Sequence, residues 1–373
     1  MKIMLLSNQS RSMAVFWRVL ILRLVERGAE AICCVPGGDN ASEARLREYG
    51  ARVINYRLDR KGLNPLRDAG SFFELRRIFA SERPDALFAT TIKPIIYGCQ
   101  AAWLAGVPKI YATITGLGYA FEADSFFKKI INHVSRMLYR TSLKHAQGIF
   151  FQNRDDSRLF REQGILSDSA PVLYAAGTGV DTKHFAQMPL PPDSGSITFL
   201  LIGRLLEAKG IAEYAQAAAI LKKKWPNARF QLLGPRETGP GSLNPSELEQ
   251  WESIEYLGET ADVRPFLGQA HVVVLPSWRE GLPTALLEAM SAGRALVATD
   301  VPGCRDVVED GENGFLAAVK NPSSLAAAME RFLLNPDLIG QMGEKGRSIA
   351  TGKFDARVVA DSILARLGME AEA

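Results

Sequence analysis

Cysteine is scarce: Cys33, Cys34, Cys99 and Cys304 are the only four in 373 residues. Two are adjacent inside an apolar run and two are isolated, a spacing that fits neither a disulfide framework nor a cysteine metal site. There is no Asp-x-Asp pair to hold a divalent cation against a phosphate. Long hydrophobic runs are also missing. The most apolar helical stretch, residues 14–25, carries Arg18 and Arg23, so no segment offers the ~20 apolar residues that cross a bilayer. The opening run Ile3-Met4-Leu5-Leu6 is too short for a signal-peptide core and reads as a first buried strand. No motif for reading DNA or RNA accompanies the charge, so no nucleic-acid partner is expected. A cytoplasmic protein is the expectation.

What is present is an ordinary globular composition, 47% hydrophobic and 23% charged, in a chain long enough for two cores. The net charge of +3 hides an asymmetry. Residues 1–185 carry 26 Lys and Arg against 17 Asp and Glu, whereas residues 186–373 carry 18 against 24. A basic first half favours an anionic partner, which charge alone does not identify.

Short apolar runs alternate with segments of helical period. Strands are predicted at 2–6, 31–35, 52–56, 86–90, 109–113, 148–152 and 172–174, with helices such as 16–27, 43–49 and 72–80 between them. The pattern breaks at the proline-rich stretch beginning Met188-Pro189-Leu190-Pro191-Pro192. A second series follows at 197–202, 229–233, 254–257, 272–275, 295–299 and 314–317. The fold class is therefore α/β, with two Rossmann-like domains, 1–187 and 188–355, facing across a cleft. A C-terminal helix, 356–373, is expected to cross back to the first domain. Ligands of such sheets bind beyond the carboxyl ends of the strands.

Three features of the second half lie at such ends. Gly203-Arg204 closes the opening strand, and Lys209-Gly210 precedes a helix; two cations beside a helix N-terminus suit a phosphate, or simply cap a surface helix. Pro276-Ser277-Trp278-Arg279-Glu280-Gly281-Leu282-Pro283-Thr284 runs from a strand into a helix bearing Glu288. Pro and Gly there expose the first N–H groups, and each carboxylate can accept from a vicinal diol, although a surface glutamate is the ordinary alternative. Gly258 ends a third strand.

In this order, with Thr299-Asp300-Val301-Pro302-Gly303 after them, these segments resemble the donor domain of family 4 retaining glycosyltransferases of the GT-B architecture. The resemblance implies that Arg204 and Lys209 grip the donor diphosphate, and that Glu288 binds the ribose. Glu280 would contact the donor sugar near the reacting face, and Gly258, Gly281, Leu282, Pro283 and Thr284 would line the donor. It further implies front-face transfer with retention, a UDP-sugar substrate, and neither metal nor cofactor. Gly179-Val180-Asp181 is similar to the family's segment at the end of the first domain.

Two departures bear on the acceptor. Ser7-Asn8-Gln9-Ser10 stands where many members have paired glycines, and Thr115, in Thr113-Ile114-Thr115-Gly116-Leu117-Gly118, stands where many have histidine. Ser7, Asn8, Lys93, Thr115 and Gly116 are the acceptor-side candidates. Residues 125–146 lack acidic side chains and mix aromatics with cations, a pattern that suits an anionic membrane surface or an ordinary domain helix. Arg60-Lys61-Gly62-Leu63-Asn64-Pro65, the Thr115-Gly116-Leu117-Gly118 loop and Glu280-Gly281-Leu282-Pro283 resemble bacterial transferases building undecaprenyl-diphosphate-linked saccharides. Among these the likeness is to N-acetylgalactosaminyltransferases acting on lipid-linked bacillosamine. That implies a lipid-linked saccharide acceptor and a peripheral place on the cytoplasmic face of the inner membrane. A sugar-nucleotide 2-epimerase or hydrolase of the same fold, and a non-catalytic two-domain binding protein, are the rival readings.

Overall fold

The computed structural model describes residues 1–369, apart from 61, 63, 117–125, 193, 194, 240, 245 and 247–249; for 126–131 only the backbone is described. The chain forms two compact units, Met1–Thr178 with Ala356–Ala373, and Gly179–Asp355.

Unit 1 is built on seven parallel strands: β1 (Lys2–Leu6), β2 (Glu30–Pro36), β3 (Arg52–Tyr56), β4 (Ala86–Thr90), β5 (Lys109–Ile114), β6 (Gly148–Phe151) and β7 (Val172–Tyr174). Their order is β3-β2-β1-β4-β5-β6-β7. Between them run α1 (Ser10–Phe16), α2 (Arg18–Glu26), α3 (Asn40–Glu48), α4 (Pro65–Glu82), α5 (Cys99–Leu104), α6 (Phe126–Leu143) and α7 (Arg154–Glu162). Successive side chains of a strand point to opposite faces, and β1 shows it: Met4 and Leu6 join one core with Phe79 of α4, while Ile3 and Leu5 join the other with Leu20 and Leu24 of α2. The single helix predicted over 16–27 is instead two, parted at Trp17, and the first starts at Ser10, whose hydroxyl donates to the Pro36 carbonyl.

The second core of unit 1 is finished by the helix Ala356–Arg366. Ile363 and Leu364 are fully covered there, Asp361 pairs with Arg23 and Arg27, and the Tyr111 hydroxyl donates to the Arg366 carbonyl.

Unit 2 carries six parallel strands, β8 (Thr198–Ile202), β9 (Arg229–Leu233), β10 (Glu255–Tyr256), β11 (Val272–Leu275), β12 (Ala295–Thr299) and β13 (Gly314–Ala317), in the order β10-β9-β8-β11-β12-β13. The domain boundary falls earlier than the proline-rich connector suggests. Met188 N–H donates to the Ala292 carbonyl, and the buried Arg294 guanidinium reaches the Met188 and Pro189 carbonyls. Val180 already pairs with the far end of the unit at Phe354 and Asp355. The connector is thus bound to the second core, and the crossing lies at Thr178.

Candidate functional site

In unit 2 the strand order turns back on itself between β8 and β11, and a sheet of this kind leaves a crevice for a ligand beyond such a reversal. After β8 the chain passes Gly203 and Arg204, makes the short 3-10 turn Glu207–Lys209, and enters α8 (Ile211–Lys222) through Gly210. Gly210 lies at φ +69°, and a Cβ there would stand 2.0 Å from the Pro276 carbonyl oxygen. Only glycine allows this approach, and it lays the Lys209 turn against the loop that follows β11. Trp278 N–H then donates to the Ala208 carbonyl at 2.9 Å.

The consequence is a direct ion pair, Lys209 Nζ to Glu280 Oε1 at 2.5 Å, with the two side chains 21% and 13% exposed. The loop after β12 closes the other flank. A Cβ on Gly303, φ +80°, would stand 2.4 Å from the Gly281 carbonyl oxygen, and the Thr299 hydroxyl donates to the Ser277 carbonyl. Behind the pair lies Cys304, whose thiol burial holds well above its usual range, with Glu280 acting in the same sense. It is a neutral packing group.

From Glu280 the chain runs through the partly exposed Gly281 and Leu282 to the buried Pro283, which caps the helix Thr284–Ser291 without a side-chain bond. The first N–H groups of such a helix have no intrahelical acceptor and carry its positive dipole end. Glu288 sits in the second turn, where burial raises its carboxyl to about 7. Arg204 is more open: its guanidinium, 58% exposed, pairs with Glu237 at 3.4 Å. Gly258, at φ +82°, accepts from Gly234 N–H at 2.8 Å, and Gly234 approaches Gly203 so closely that a Cβ would stand 1.8 Å from its carbonyl oxygen. Glycines therefore draw the ends of β8, β9 and β10 together.

Lys209 and Glu280 are thus in contact, Arg204 lies on the segment leading to the Lys209 turn, and Glu288 lies on the helix that follows the Glu280 loop. Sequence reading missed the brace around Trp278. Its indole N–H donates to Glu213 Oε1 at 2.9 Å, and the Lys320 ammonium lies 3.9 Å from its ring centre. Trp278 was visible inside the loop, but nothing local marks Glu213 or Lys320 as its partners.

In unit 1, Ser7 leaves β1 with its side chain buried, Asn8 is partly exposed, Thr115 is exposed and Gly116 sits at φ +134° beyond β5. Lys93 differs from expectation. Its ammonium spends its three protons on Asp59 O, Gly62 O and Asp68 Oδ1, at 2.8, 2.8 and 2.6 Å, leaving none for an acceptor. Leu117 and Gly118 lie outside the described residues, as do Lys61, Leu63 and Ser125. Helix α6 buries Tyr139 and Leu143 and exposes Val134, Met137 and Arg140.

Residues 12–174 match the family model described as a glycosyl transferase 4-like domain, and residues 196–335 match glycosyl transferases group 1. The N,N'-diacetylbacillosaminyl-diphospho-undecaprenol alpha-1,3-N-acetylgalactosaminyltransferase of Campylobacter jejuni is 27% identical over 98% of this chain and 97% of its own. The Escherichia coli UDP-Gal:alpha-D-GlcNAc-diphosphoundecaprenol alpha-1,3-galactosyltransferase is 25% identical over 73% and 72%. Among solved structures, Anabaena HepE in complex with UDP superposes with TM-score 0.78 at 18% identity, covering 99% of this chain and 100% of the other. The two matched models, taken with the two reversed parallel sheets and the order of the loops, show that the chain belongs to the family 4 glycosyltransferases of the GT-B architecture.

Proposed function

We propose that the chain transfers an N-acetylhexosamine, such as N-acetylgalactosamine, from its UDP-sugar to a saccharide on undecaprenyl diphosphate, with retention and without a metal. The Lys209–Glu280 pair at the β8/β11 reversal carries this reading. As the bond from the anomeric carbon to the diphosphate oxygen breaks, negative charge gathers on the departing phosphate. Lys209, Arg204 and the N-terminus of the helix Thr284–Ser291 would stabilise it once the donor is bound. The acceptor hydroxyl attacks the same face and its proton passes to the departing β-phosphate, so charge and atoms balance. Donor binding would draw Lys209 toward phosphate and free Glu280 for the sugar hydroxyls, while the Glu288 carboxylate accepts from the ribose diol.

The relatives' names support the donor and acceptor classes. Peripheral attachment to the cytoplasmic face of the inner membrane is supported by the exposed Val134, Met137 and Arg140 on α6. The test is transfer from a panel of labelled UDP-sugars to polyprenyl-diphosphate saccharide in the presence of a chelator, with NMR of the product. Label in the lipid fraction with an α linkage is expected. Free or isomerised sugar without transfer would favour the hydrolase or epimerase reading, inverted product would refute retention, and dependence on added metal would refute metal independence.

A further inference from the structure

The first sheet reverses its order between β1 and β4, just as the second does between β8 and β11. The segment that leaves β4 is strained. Thr91 lies at φ +71°, a left-handed conformation that β-branched residues avoid and that persists only where the surroundings impose it. Two residues on is Lys93, whose three acceptors come from residues 59, 62 and 68. With its partner Asp68 it is largely covered, the two side chains being 14% and 9% exposed. Asp68 Oδ2 also accepts from the Tyr97 hydroxyl at 2.9 Å.

Between Asp59 and α4, Gly62 and Asn64 are each held by hydrogen bonds. Asp59 Oδ1 accepts from Gly62 N–H at 2.9 Å, and a Cβ on Gly62 would collide with the same carboxylate. Asn64 caps α4 by accepting from the Leu66 and Arg67 N–H groups. Gly62 and Asn64 belong to the segment singled out in the sequence, and Lys93 binds the Asp59 and Gly62 carbonyls on either side of Arg60. What the structure holds up is Arg60. Its exposed guanidinium donates to Gln9 Oε1 at 2.9 Å, beside the end of β1. There the Ser7 Oγ is buried, 1% exposed as a residue, and has no protein partner; Thr91 Oγ1 is likewise buried without one. A buried hydroxyl that the protein leaves unpaired is a place for a water or a ligand atom.

We propose that Arg60 and the Ser7 hydroxyl form an anion subsite for a phosphoryl oxygen of the acceptor's diphosphate, with Lys93 as the positioning residue that holds Arg60 in place. The inference rests on the lipid-diphosphate reading above. A planar guanidinium suits a phosphate because two parallel N–H groups match two oxygens, and an ammonium at the same place gives only a point charge. Lys93, whose protons are all engaged, acts through the turn it carries.

The test compares a polyprenyl-diphosphate saccharide in neutral detergent with the same saccharide as a phosphate-free alkyl glycoside. For each protein the ratio of kcat/KM on the two acceptors is measured. In Arg60→Ala the preference for the diphosphate acceptor falls about tenfold or more, mostly through KM, since one charge-assisted contact is lost. Arg60→Lys recovers part of it. Lys93→Met moves the same ratio in the same direction; if that variant unfolds, Lys93→Arg, which keeps the charge in a different shape, replaces it. An unchanged ratio in Arg60→Ala overturns the subsite. Flotation on phosphatidylglycerol vesicles distinguishes the other source of phosphate: if Arg60→Ala loses flotation but keeps its acceptor ratio, the arginine reads lipid headgroups and the diphosphate assignment fails. A wild-type protein that turns over UDP-sugar but never uses the diphosphate acceptor would end the functional reading itself, whereas a normal wild type with an indifferent Arg60→Ala ends only this inference.

Discussion

Replacing Lys209 by alanine separates what the ion pair does for folding from what it does for transfer. The ammonium lies 2.5 Å from Glu280, and both side chains are mostly covered. Removing it strands a carboxylate in a poorly hydrated place, which costs about 1–3 kcal/mol of stability. The loss stays below the ~3–5 kcal/mol of a wholly buried pair because water still reaches both groups. The effect on rate is larger. A fixed donor aimed at developing negative charge is worth roughly 2.7–4 kcal/mol, or about 10²–10³ in turnover. Urea denaturation and initial rates at saturating acceptor with varied UDP-sugar measure the two effects. Adding Glu280→Gln to Lys209→Met removes the stranded charge, so stability returns while transfer does not. A folded Lys209→Ala protein that keeps about a third or more of the wild-type kcat/KM would refute the assignment of Lys209 to the leaving phosphate.

Three further outcomes are expected. Burial holds the unliganded Glu288 near 7, and a ribose diol favours its charged form, so UDP affinity should rise as pH climbs from 5.5 to about 7.5. Calorimetry on the wild type and Glu288→Gln checks this, and an equal pH dependence in both would rule it out. The same raised pKa means that the folded state loses stability as pH rises through about 7, so Glu288→Gln should gain more in melting temperature at pH 8 than at pH 5. Gly210→Ala places a Cβ against the Pro276 carbonyl in a left-handed backbone and should cost about 1–3 kcal/mol, with a raised KM for UDP-sugar because the Lys209 turn is displaced; an unaltered melt and KM would contradict it. Leu364→Ala, in the fully covered face of the last helix, should lose about 2–5 kcal/mol in urea melts, and a loss below about 1 would mean that helix contributes little.

The strands were legible because a parallel sheet is covered on both sides and so reads as unbroken apolar runs, as in Val272–Leu275. Helix limits were less so. The polar opening of α1, Ser10-Arg11-Ser12, has no apolar period, and its anchor is a carbonyl from another strand. Among the site residues, the acids and cations were visible as types in order. That Lys209 meets Glu280 could not be read locally, since it depends on β8 lying beside β11 in the sheet. Lys93 shows the converse. A lone cation after a strand looks like a ligand group until the carbonyls of residues 59 and 62, brought from a distant stretch, occupy its protons.

The last helix completes the hydrophobic layer that the first strand begins, with Ile363 and Leu364 packed in the same cluster as Ile3 and Leu5. During synthesis the amino-terminal half therefore waits, with one side of its sheet only partly covered by α1, α2 and α3, until the ribosome has added the whole of the other unit and the tail beyond it. A fragment stopping at Thr178 would expose that greasy groove and clump, while supplying the peptide Ala356–Ala373 separately should rescue it.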